Sequence, residues 1–166
     1  MKGKPPFESI VTAHAATVLR VCRAVLGPTA DAQDAWSETF LAALRSYPEL
    51  PADANVQAWL VTIAHRKAID VTRVLGRQAI PVGEVPDRPS AIGHPEAGDP
   101  ELWRAVEALP DKQRKAIAYH YLGGLPYADI ADILGGTTDA ARRAAADGIK
   151  NLRTAFTRTG PKGASR

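Results

Sequence analysis

Apolar residues recur three and four positions apart along most of the chain, which is the spacing that gives an α-helix one buried face. In the first half this pattern predicts three helices, interrupted by glycine and proline, over Phe7–Leu26, Asp31–Tyr47 and Asn55–Leu75. The second helix is expected to bury Trp36, Phe40 and Leu44, and the third to bury Trp59. Aromatic and aliphatic side chains in this number can form the core of a small three-helix bundle.

A second helical region begins near Glu101, with one helix that ends at Leu109 and another over Asp111–Leu122. The stretch that follows, to Arg153, predicts two helices joined by a tight turn. Gly135 and Gly136 end the first of these, because glycine adopts the left-handed conformation that helix ends often need. Thr137 or Thr138 can cap the second by accepting a hydrogen bond from a free first-turn N–H.

The last of these predicted helices has one apolar stripe and one cationic face. The stripe contains Ala141, Ala145, Ile149, Leu152 and Phe156, and the cations are Arg142, Arg143, Lys150 and Arg153. A helix, a tight turn and a cationic helix form the layout of a helix-turn-helix DNA reader. An ordinary helical hairpin with a solvated charged face has the same pattern, so both interpretations are open at this point.

Residues 77–100 contain several prolines and glycines and no sustained periodicity, which predicts a flexible linker. The expected fold class is therefore all-α, with two small helical domains. The first is a bundle of three helices over residues 7–76, and the second, over residues 101–158, carries the helix-turn-helix.

Composition and charge narrow the possible functions. The chain is 45% hydrophobic and 23% charged, with no run of about 18 apolar residues, so no membrane span is expected and the chain should be cytoplasmic. Its one cysteine, Cys22, lies among apolar neighbours and is expected to be a small core residue in a reducing compartment. No cofactor, no metal and no enzymatic activity are expected, since the four histidines lack ligand spacing and no phosphate loop or nucleophile elbow occurs.

The net charge of +3 is unevenly placed. Cations cluster between Arg66 and Arg77 and again between Asp139 and Arg158, whereas the segment between these clusters is acidic. Two basic patches separated by an acidic linker suit two contacts with one polyanion, although solvated helix faces can give the same distribution.

Three motifs resemble those of one protein family. Residues 31–40 (DAQDAWSETF) resemble its D-A-E-D-hydrophobic-hydrophobic-Q-E-x-F, and residues 59–70 (WLVTIAHRKAID) resemble its W-L-x-x-I-A-x-N-x-A-x-D. Residues 109–114 (LPDKQR) with 124–135 (GLPYADIADILG) resemble L-P-x-x-Q-R followed by G-x-S/P-Y-x-E-I-A-x-x-L-G. The family is the extracytoplasmic-function (ECF) sigma factors of bacterial RNA polymerase, in the sigma-70 family. Its members keep sigma regions two and four, and the resemblance covers roughly residues 7–153.

The resemblance implies a promoter-specificity subunit that binds core RNA polymerase, through the clamp helices of its largest subunit and through its flap, and promoter DNA. It places the clamp contact on Asp34, Ser37 and Glu38, where Ser37 replaces the usual glutamine. It places −10 DNA contacts on a loop and the helix after it, at Asp53, Asn55, Gln57, His65, Arg66 and Arg73. Amides in that loop could read the edges of an unstacked base, and the cations could meet phosphate.

The resemblance places the −35 contacts on Arg114, Thr137, Thr138, Arg142, Arg143 and Lys150. Arginine pairs with guanine through two hydrogen bonds, so Arg142 and Arg143 are the expected base readers, and Lys150 the phosphate contact. Ala140 and Ala144 replace the hydroxyl and the arginine that the family tends to have, which indicates a divergent −35 preference.

The family is often inhibited by an anti-sigma factor, which is a further expected partner. Two other functions remain open: a stand-alone helix-turn-helix transcriptional regulator, and a helical adaptor whose basic face binds an acidic protein. The acidic Asp34 and Glu38 face and the stretch from Trp59 to Asp70 favour the sigma factor, because a simple DNA-binding regulator needs neither.

Overall fold

The computed structural model describes residues 3–77 and 100–159, apart from the side chains of residues 75–77 and 158–159. Helices and the turns between them make up these residues, and no strand occurs among them, which confirms the all-α class. The predicted linker over 77–100 lies, apart from its two end residues, outside the described residues.

The first domain consists of α1 (Phe7–Leu26), α2 (Ala30–Ser46), a 3₁₀ turn (Tyr47–Glu49) and α3 (Val56–Arg77). The three helices pack around a shared core whose buried members are Ile10, Val18, Cys22, Ala32, Ala35, Phe40, Ala43, Leu60 and Ala64. Trp36 lies at the edge of this core, where its indole N–H donates to the Ala15 carbonyl at 2.9 Å. Burial raises the pKa of the Cys22 thiol to about 12, so this cysteine is a core residue, as predicted.

One predicted core residue of this domain is exposed instead. Leu44 keeps 51% of its surface accessible, and the neighbouring Ala43 is fully buried in its place. Leu44 lies three positions after Leu41, which is also exposed, so the two leucines share an outer face of α2. The prediction that Leu44 is buried was wrong.

The second domain consists of α4 (Pro100–Glu107), α5 (Asp111–Ile117), a π-helical segment (Ala118–Leu122), α6 (Tyr127–Leu134) and α7 (Thr138–Thr159). The π segment continues α5, and its last turn closes through a Gly123 N–H that donates to the Ala118 carbonyl at 2.9 Å. Between α6 and α7, Gly135 and Gly136 have φ of 77° and 116°, which confirms the predicted glycine turn. Thr137 Oγ1 accepts from the Ala140 N–H at 3.0 Å and so caps α7.

The two domains are in contact and share a second core. Residues of α1 and α3, namely Val21, Ala24, Val25, Val61 and Ala68, belong to the same buried cluster as Val106, Leu109, Ile117, Tyr119 and Leu125 of the second domain. Helix α1 is therefore apolar on two sides, one facing α2 and α3 and the other facing the second domain. The sequence predicted two units joined by a tether and gave no sign of this contact.

Among the described helices, α1 is the one that is long and apolar enough to cross a membrane, with a mean hydropathy of 1.3. Its apolar positions are used within the fold, since Val18, Val21 and Cys22 are at most 1% exposed. Packing on two sides accounts for its composition.

Gly148 lies in the middle of α7, where glycine normally costs stability. The structure explains it, because a Cβ at this position would collide with the Cδ1 atom of Ile117 on α5. The missing side chain lets α5 and α7 approach closely, and Asn151 then donates to the Gln113 side-chain carbonyl at 2.7 Å across the same contact.

We expect Gly148→Ala to lower the free energy of unfolding by about 1–3 kcal/mol, the usual cost of overpacking a core. At an exposed helix position the same change would raise it by about 1 kcal/mol. Ile117→Val removes the colliding methyl group, so Gly148→Ala should cost less in that background. Urea unfolding of the four proteins measures this coupling, and a stabilising Gly148→Ala would contradict the packing described.

Candidate functional site

An acidic groove runs between α2 and α3 on the first domain. It has a volume of about 410 Å³, and the exposed carboxylates of Asp34 and Glu38 lie along one wall. Its other lining residues are Asp31, Ala35, Lys67, Asp70, Val71 and Val74. Asp34 and Glu38 lie one helical turn apart, so they share a face of α2, as predicted. Ser37 is exposed beside them.

Exposed apolar side chains occur in this acidic groove, at Val74, and further along α2. Leu41 and Val74 are 49% and 50% exposed, and Leu44 is similarly open to solvent. Leu41 follows Glu38 by three positions and so continues the same face of α2. Exposed leucines beside carboxylates are typical of a surface that binds another protein. The sequence interpretation missed Leu41, although its spacing from Glu38 was a usable signal.

The loop before α3 holds two of the predicted −10 residues. Asp53 and Asn55 are exposed, and Asn55 Oδ1 accepts from the Ala58 N–H at 3.1 Å. That hydrogen bond satisfies one of the free first-turn donors of α3, so Asn55 acts as a helix cap here. Gln57, the second residue of α3, instead donates from its Nε2 to the Gly123 carbonyl of the second domain.

His65 is the predicted −10 residue whose position differs most from expectation. It is 7% exposed, and its Nδ1 lies 2.5 Å from the hydroxyl of Tyr119, which is fully buried. Burial lowers the pKa of His65 to about 4; the nearby cations Lys115 and Arg66 lower it further, while Asp111 acts in the opposite direction. Burial also raises the pKa of the Tyr119 hydroxyl, so the phenol keeps its proton and the hydrogen bond joins two neutral groups. In this arrangement His65 faces the second domain and not solvent.

The other two cations predicted on α3 are exposed. Arg66 lines a groove of about 460 Å³ between α3 and α6, and Asp129 and Asp132 line it from the α6 side. Arg73 is exposed further along α3. The structure therefore leaves Arg66 and Arg73 open to solvent, although carboxylates of the second domain lie across the groove from Arg66.

The beginning of α7 presents the predicted −35 residues. Arg142 donates to Asp139 at 2.7 Å, and its guanidinium lies 5.5 Å from the centre of the Tyr127 ring. Arg143 and Lys150 are exposed on the same helix. Thr138 is the first residue of α7, and Thr137 is its cap. Tyr127 was not among the predicted residues, and only the folded turn between α6 and α7 brings it under Arg142.

Arg114 lies apart from this cationic face. Its side chain is 21% exposed and donates to Asp111 at 3.1 Å and to the Glu107 carbonyl at 3.3 Å. It lines a small cavity against Ala68 and Thr72 of α3. Arg114 therefore faces the first domain in this arrangement, where a phosphate cannot reach it as readily as it can reach α7.

Within residues 3–77 and 100–159, no group of three or more His, Cys, Asp or Glu side chains could hold a metal ion. The surface of these residues carries an acidic groove that suits a protein partner and two cationic regions that suit nucleic acid.

Comparison with known families matches residues 10–78 to Sigma-70 region 2 and residues 100–152 to Sigma-70, region 4. The ECF RNA polymerase sigma factor SigE of Mycolicibacterium smegmatis is 29% identical over 157 residues, which are 90% of this chain and 61% of SigE. SigK of Mycobacterium bovis is 30% identical over 140 residues, which are 78% of this chain and 74% of SigK.

Two solved structures share the fold. The sigma factor RpoE of Bartonella quintana, in complex with the anti-sigma factor NepR, superposes with a TM-score of 0.75 at 19% identity, covering 91% of this chain and 96% of RpoE. CnrH, in complex with the cytosolic domain of CnrY, has a TM-score of 0.62 at 20% identity, covering 93% of this chain and 89% of CnrH.

The buried His65 gives stability a pH dependence with a defined sign. In the unfolded chain His65 takes up a proton as the pH falls below its ordinary pKa of 6.5. In the folded protein it stays neutral down to about pH 4. The stability that depends on neutral His65 is thus complete above pH 6.5 and is lost as the pH falls toward 4. The free energy of unfolding in urea is measured for the wild type and for His65→Gln across this pH range. The contributions of the other titrating groups are common to both proteins, so they cancel in the comparison. We expect the wild type to lose stability faster than the variant, and parallel curves would contradict the assignment.

Proposed function

This chain belongs to the ECF RNA polymerase sigma factors of the sigma-70 family, and we propose that it binds core polymerase and directs promoter-specific initiation through the surfaces described above. The observation that carries the proposal is the separation, on one chain, of an acidic groove with apolar flanks from two cationic regions on other helices. A polymerase subunit needs one surface for protein and others for DNA, whereas a stand-alone DNA-binding regulator needs only the latter.

The acidic groove on α2 and α3 is the proposed contact with the polymerase clamp helices. Asp34 and Glu38 supply fixed charge that can steer a basic or polar partner helix, and Ser37 adds a hydroxyl on the same face. Leu41 and Leu44 extend this surface with apolar area that binding would bury. Together they give the groove both selectivity and affinity. The second domain would make the proposed contact with the flap.

The DNA contacts divide between the domains. On the first domain the loop residues Asp53 and Asn55 and the exposed cations Arg66 and Arg73 are proposed to meet the −10 element, with Gln57 and His65 joining them only when the second domain moves away. On the second domain, Arg142 and Arg143 are proposed to read −35 base edges, with Thr137, Thr138 and Lys150 near phosphate. Arg114 would join these phosphate contacts only when it is released from its place against the first domain. We assign the chain no catalytic step, because the polymerase supplies the chemistry. From these roles we propose a cytoplasmic location, and an anti-sigma factor is a proposed partner.

In vitro transcription tests the function. Core bacterial polymerase should produce specific transcripts from a random-sequence promoter library only when this chain is added. Asp34→Lys with Glu38→Lys should abolish those transcripts and weaken binding to core polymerase at least tenfold, because reversed charges oppose the partner's basic groups. The matched control is Glu49→Lys, an exposed acid outside the acidic groove, which should behave like the wild type. Specific binding to duplex DNA with no effect on core polymerase would instead favour a stand-alone regulator.

The role of α7 is tested with −35 DNA selected from the same library. Arg142→Ala with Arg143→Ala should weaken binding about tenfold or more, since each well-formed arginine–guanine pair contributes about 1–3 kcal/mol. The double variant should also show a shallower dependence of affinity on salt, measured by fluorescence anisotropy. Lys112→Ala removes an exposed cation from α5 and should change neither quantity. An unchanged affinity in the double variant would remove α7 as the base reader.

A further inference from the structure

Two aromatic rings stack where the π segment approaches the beginning of α6. The centroids of the His120 and Tyr127 rings are 4.0 Å apart, and the planes of the rings differ by 14°. His120 Nδ1 lies 2.8 Å from the Leu125 carbonyl, and because a carbonyl can only accept, this nitrogen carries a proton and donates it. The Tyr121 ring meets His120 edge-on at 4.9 Å. These contacts fix the His120 ring, and the stack in turn restrains Tyr127.

The Tyr127 ring also contacts a proposed base reader. The Arg142 guanidinium lies over this ring, 5.5 Å from its centroid, where the electron-rich face of the ring attracts a cation. The ion-pair partner of Arg142 is Asp139 at 2.7 Å, but the two side chains of this pair are 58% and 77% exposed. An exposed ion pair restrains its members weakly. The ring therefore adds a second restraint on Arg142, from a side chain that is itself held in place.

The neighbouring arginine is not restrained in this way. Arg143 is exposed, and among the described residues it has neither an ion pair nor a ring contact. Successive helix positions point about 100° apart, so the side chains of Arg142 and Arg143 leave α7 in different directions. The two arginines thus differ in how far the fold orients them before DNA binds.

Orientation matters for an arginine that reads a base. Its planar fork pairs with guanine through two hydrogen bonds, which form only when the guanidinium is aligned with the base edge. An unrestrained side chain can turn to a nearby phosphate when the base is changed, so the wrong base costs little affinity. A restrained side chain has fewer alternatives, and the difference in affinity between the right and the wrong base increases.

We propose that Tyr127 is a positioning residue for Arg142, and that its ring sharpens the discrimination of this arginine among −35 base pairs. His120 contributes indirectly, because it holds the ring. This inference deepens the proposed function and rests on it, since it requires that α7 reads DNA. It adds a residue of α6 to those that determine promoter preference, without requiring that this residue touch a base.

The test uses the full chain and the −35 duplex selected from the promoter library. Fluorescence anisotropy gives the dissociation constant for this duplex and for duplexes in which one base pair at a time is changed. Arg142→Ala identifies the base pair that Arg142 reads, as the position where a change no longer costs affinity. Discrimination is then the ratio of the dissociation constants of the changed and the selected duplex at that position.

Removal of the Tyr127 ring should lower this discrimination. We expect Tyr127→Leu to lower it about two- to fivefold, which corresponds to a cation–π contact at an exposed site. Tyr127→Phe keeps the ring and should discriminate like the wild type. The matched control is Phe156→Leu, which removes a ring that is 36% exposed near the other end of α7 and should leave discrimination unchanged. If thermal unfolding shows that Tyr127→Leu does not fold, Tyr127→Met removes the ring with less loss of volume and makes the same comparison.

Double variants show whether the effect of Tyr127 passes through Arg142. The affinity for the selected duplex that Tyr127→Leu loses should not be lost again in an Arg142→Ala background, whereas the loss should persist in full with Arg143→Ala. An equal loss of affinity for every duplex would mean that Tyr127 only supports packing, and it would overturn the proposal. Equal effects of Tyr127→Phe and Tyr127→Leu would also overturn it.

Failure of the proposed function and failure of this inference give different results. If Arg142→Ala leaves the affinity for every duplex unchanged, α7 does not read bases through Arg142, and the positioning role is rejected together with that readout. If Arg142→Ala relaxes one base pair while Tyr127→Leu discriminates there like the wild type, Arg142 reads DNA without the ring. In that case only the inference about Tyr127 is wrong.

Discussion

The packing of α1 and α3 on two sides is the constraint on which the rest of the structure depends. A three-helix bundle can cover one face of each helix, but α1 carries Val18 and Cys22 on one side and Val21 and Val25 on another. Leaving the second set in water would expose apolar surface at about 25 cal/mol for each Å². The second domain covers it, and this draws its π segment over α3. The burial of His65 follows from that position.

Each proposed binding surface carries the charge that suits its partner, acidic for the polymerase and cationic for DNA. The acidic groove lies on the side of α2 and α3 away from the second domain, and the cationic beginning of α7 lies on the outside of the helix-turn-helix. Between the described parts of the two domains, the buried pair of Tyr119 and His65 is neutral, since Tyr119 keeps its proton and His65 resists taking one. A charged pair there would carry a large desolvation cost, which the neutral hydrogen bond avoids.

Local packing in the second domain positions an arginine that is proposed to read DNA bases. Gly148 allows α5 to approach α7, and this contact fixes the direction of the helix that carries Arg142. Asp139 and the Tyr127 ring then hold that guanidinium near the beginning of α7. An arginine held in place loses less conformational entropy when it meets a base edge. Readout at this position depends on the packing beneath it as well as on the exposed residue.

The sequence by itself determined the features that depend on near neighbours: the helices, the glycine turn after α6, the Thr137 cap and the three motifs that indicated the family. The helices, the turn and the cap each follow from residues within about four positions of one another, because helical hydrogen bonds and faces have that range. The motifs are longer, but each is a continuous or nearly continuous stretch of sequence. It also placed Asp34, Glu38, Arg66, Arg73, Arg143 and Lys150 correctly on exposed helix faces. The tertiary structure alone decided that His65, Gln57 and Arg114 face the other domain, that Leu44 faces solvent and that Tyr127 supports Arg142. Those outcomes depend on residues far apart in the chain, whose meeting is set by which apolar surfaces cover one another and not by any local pattern.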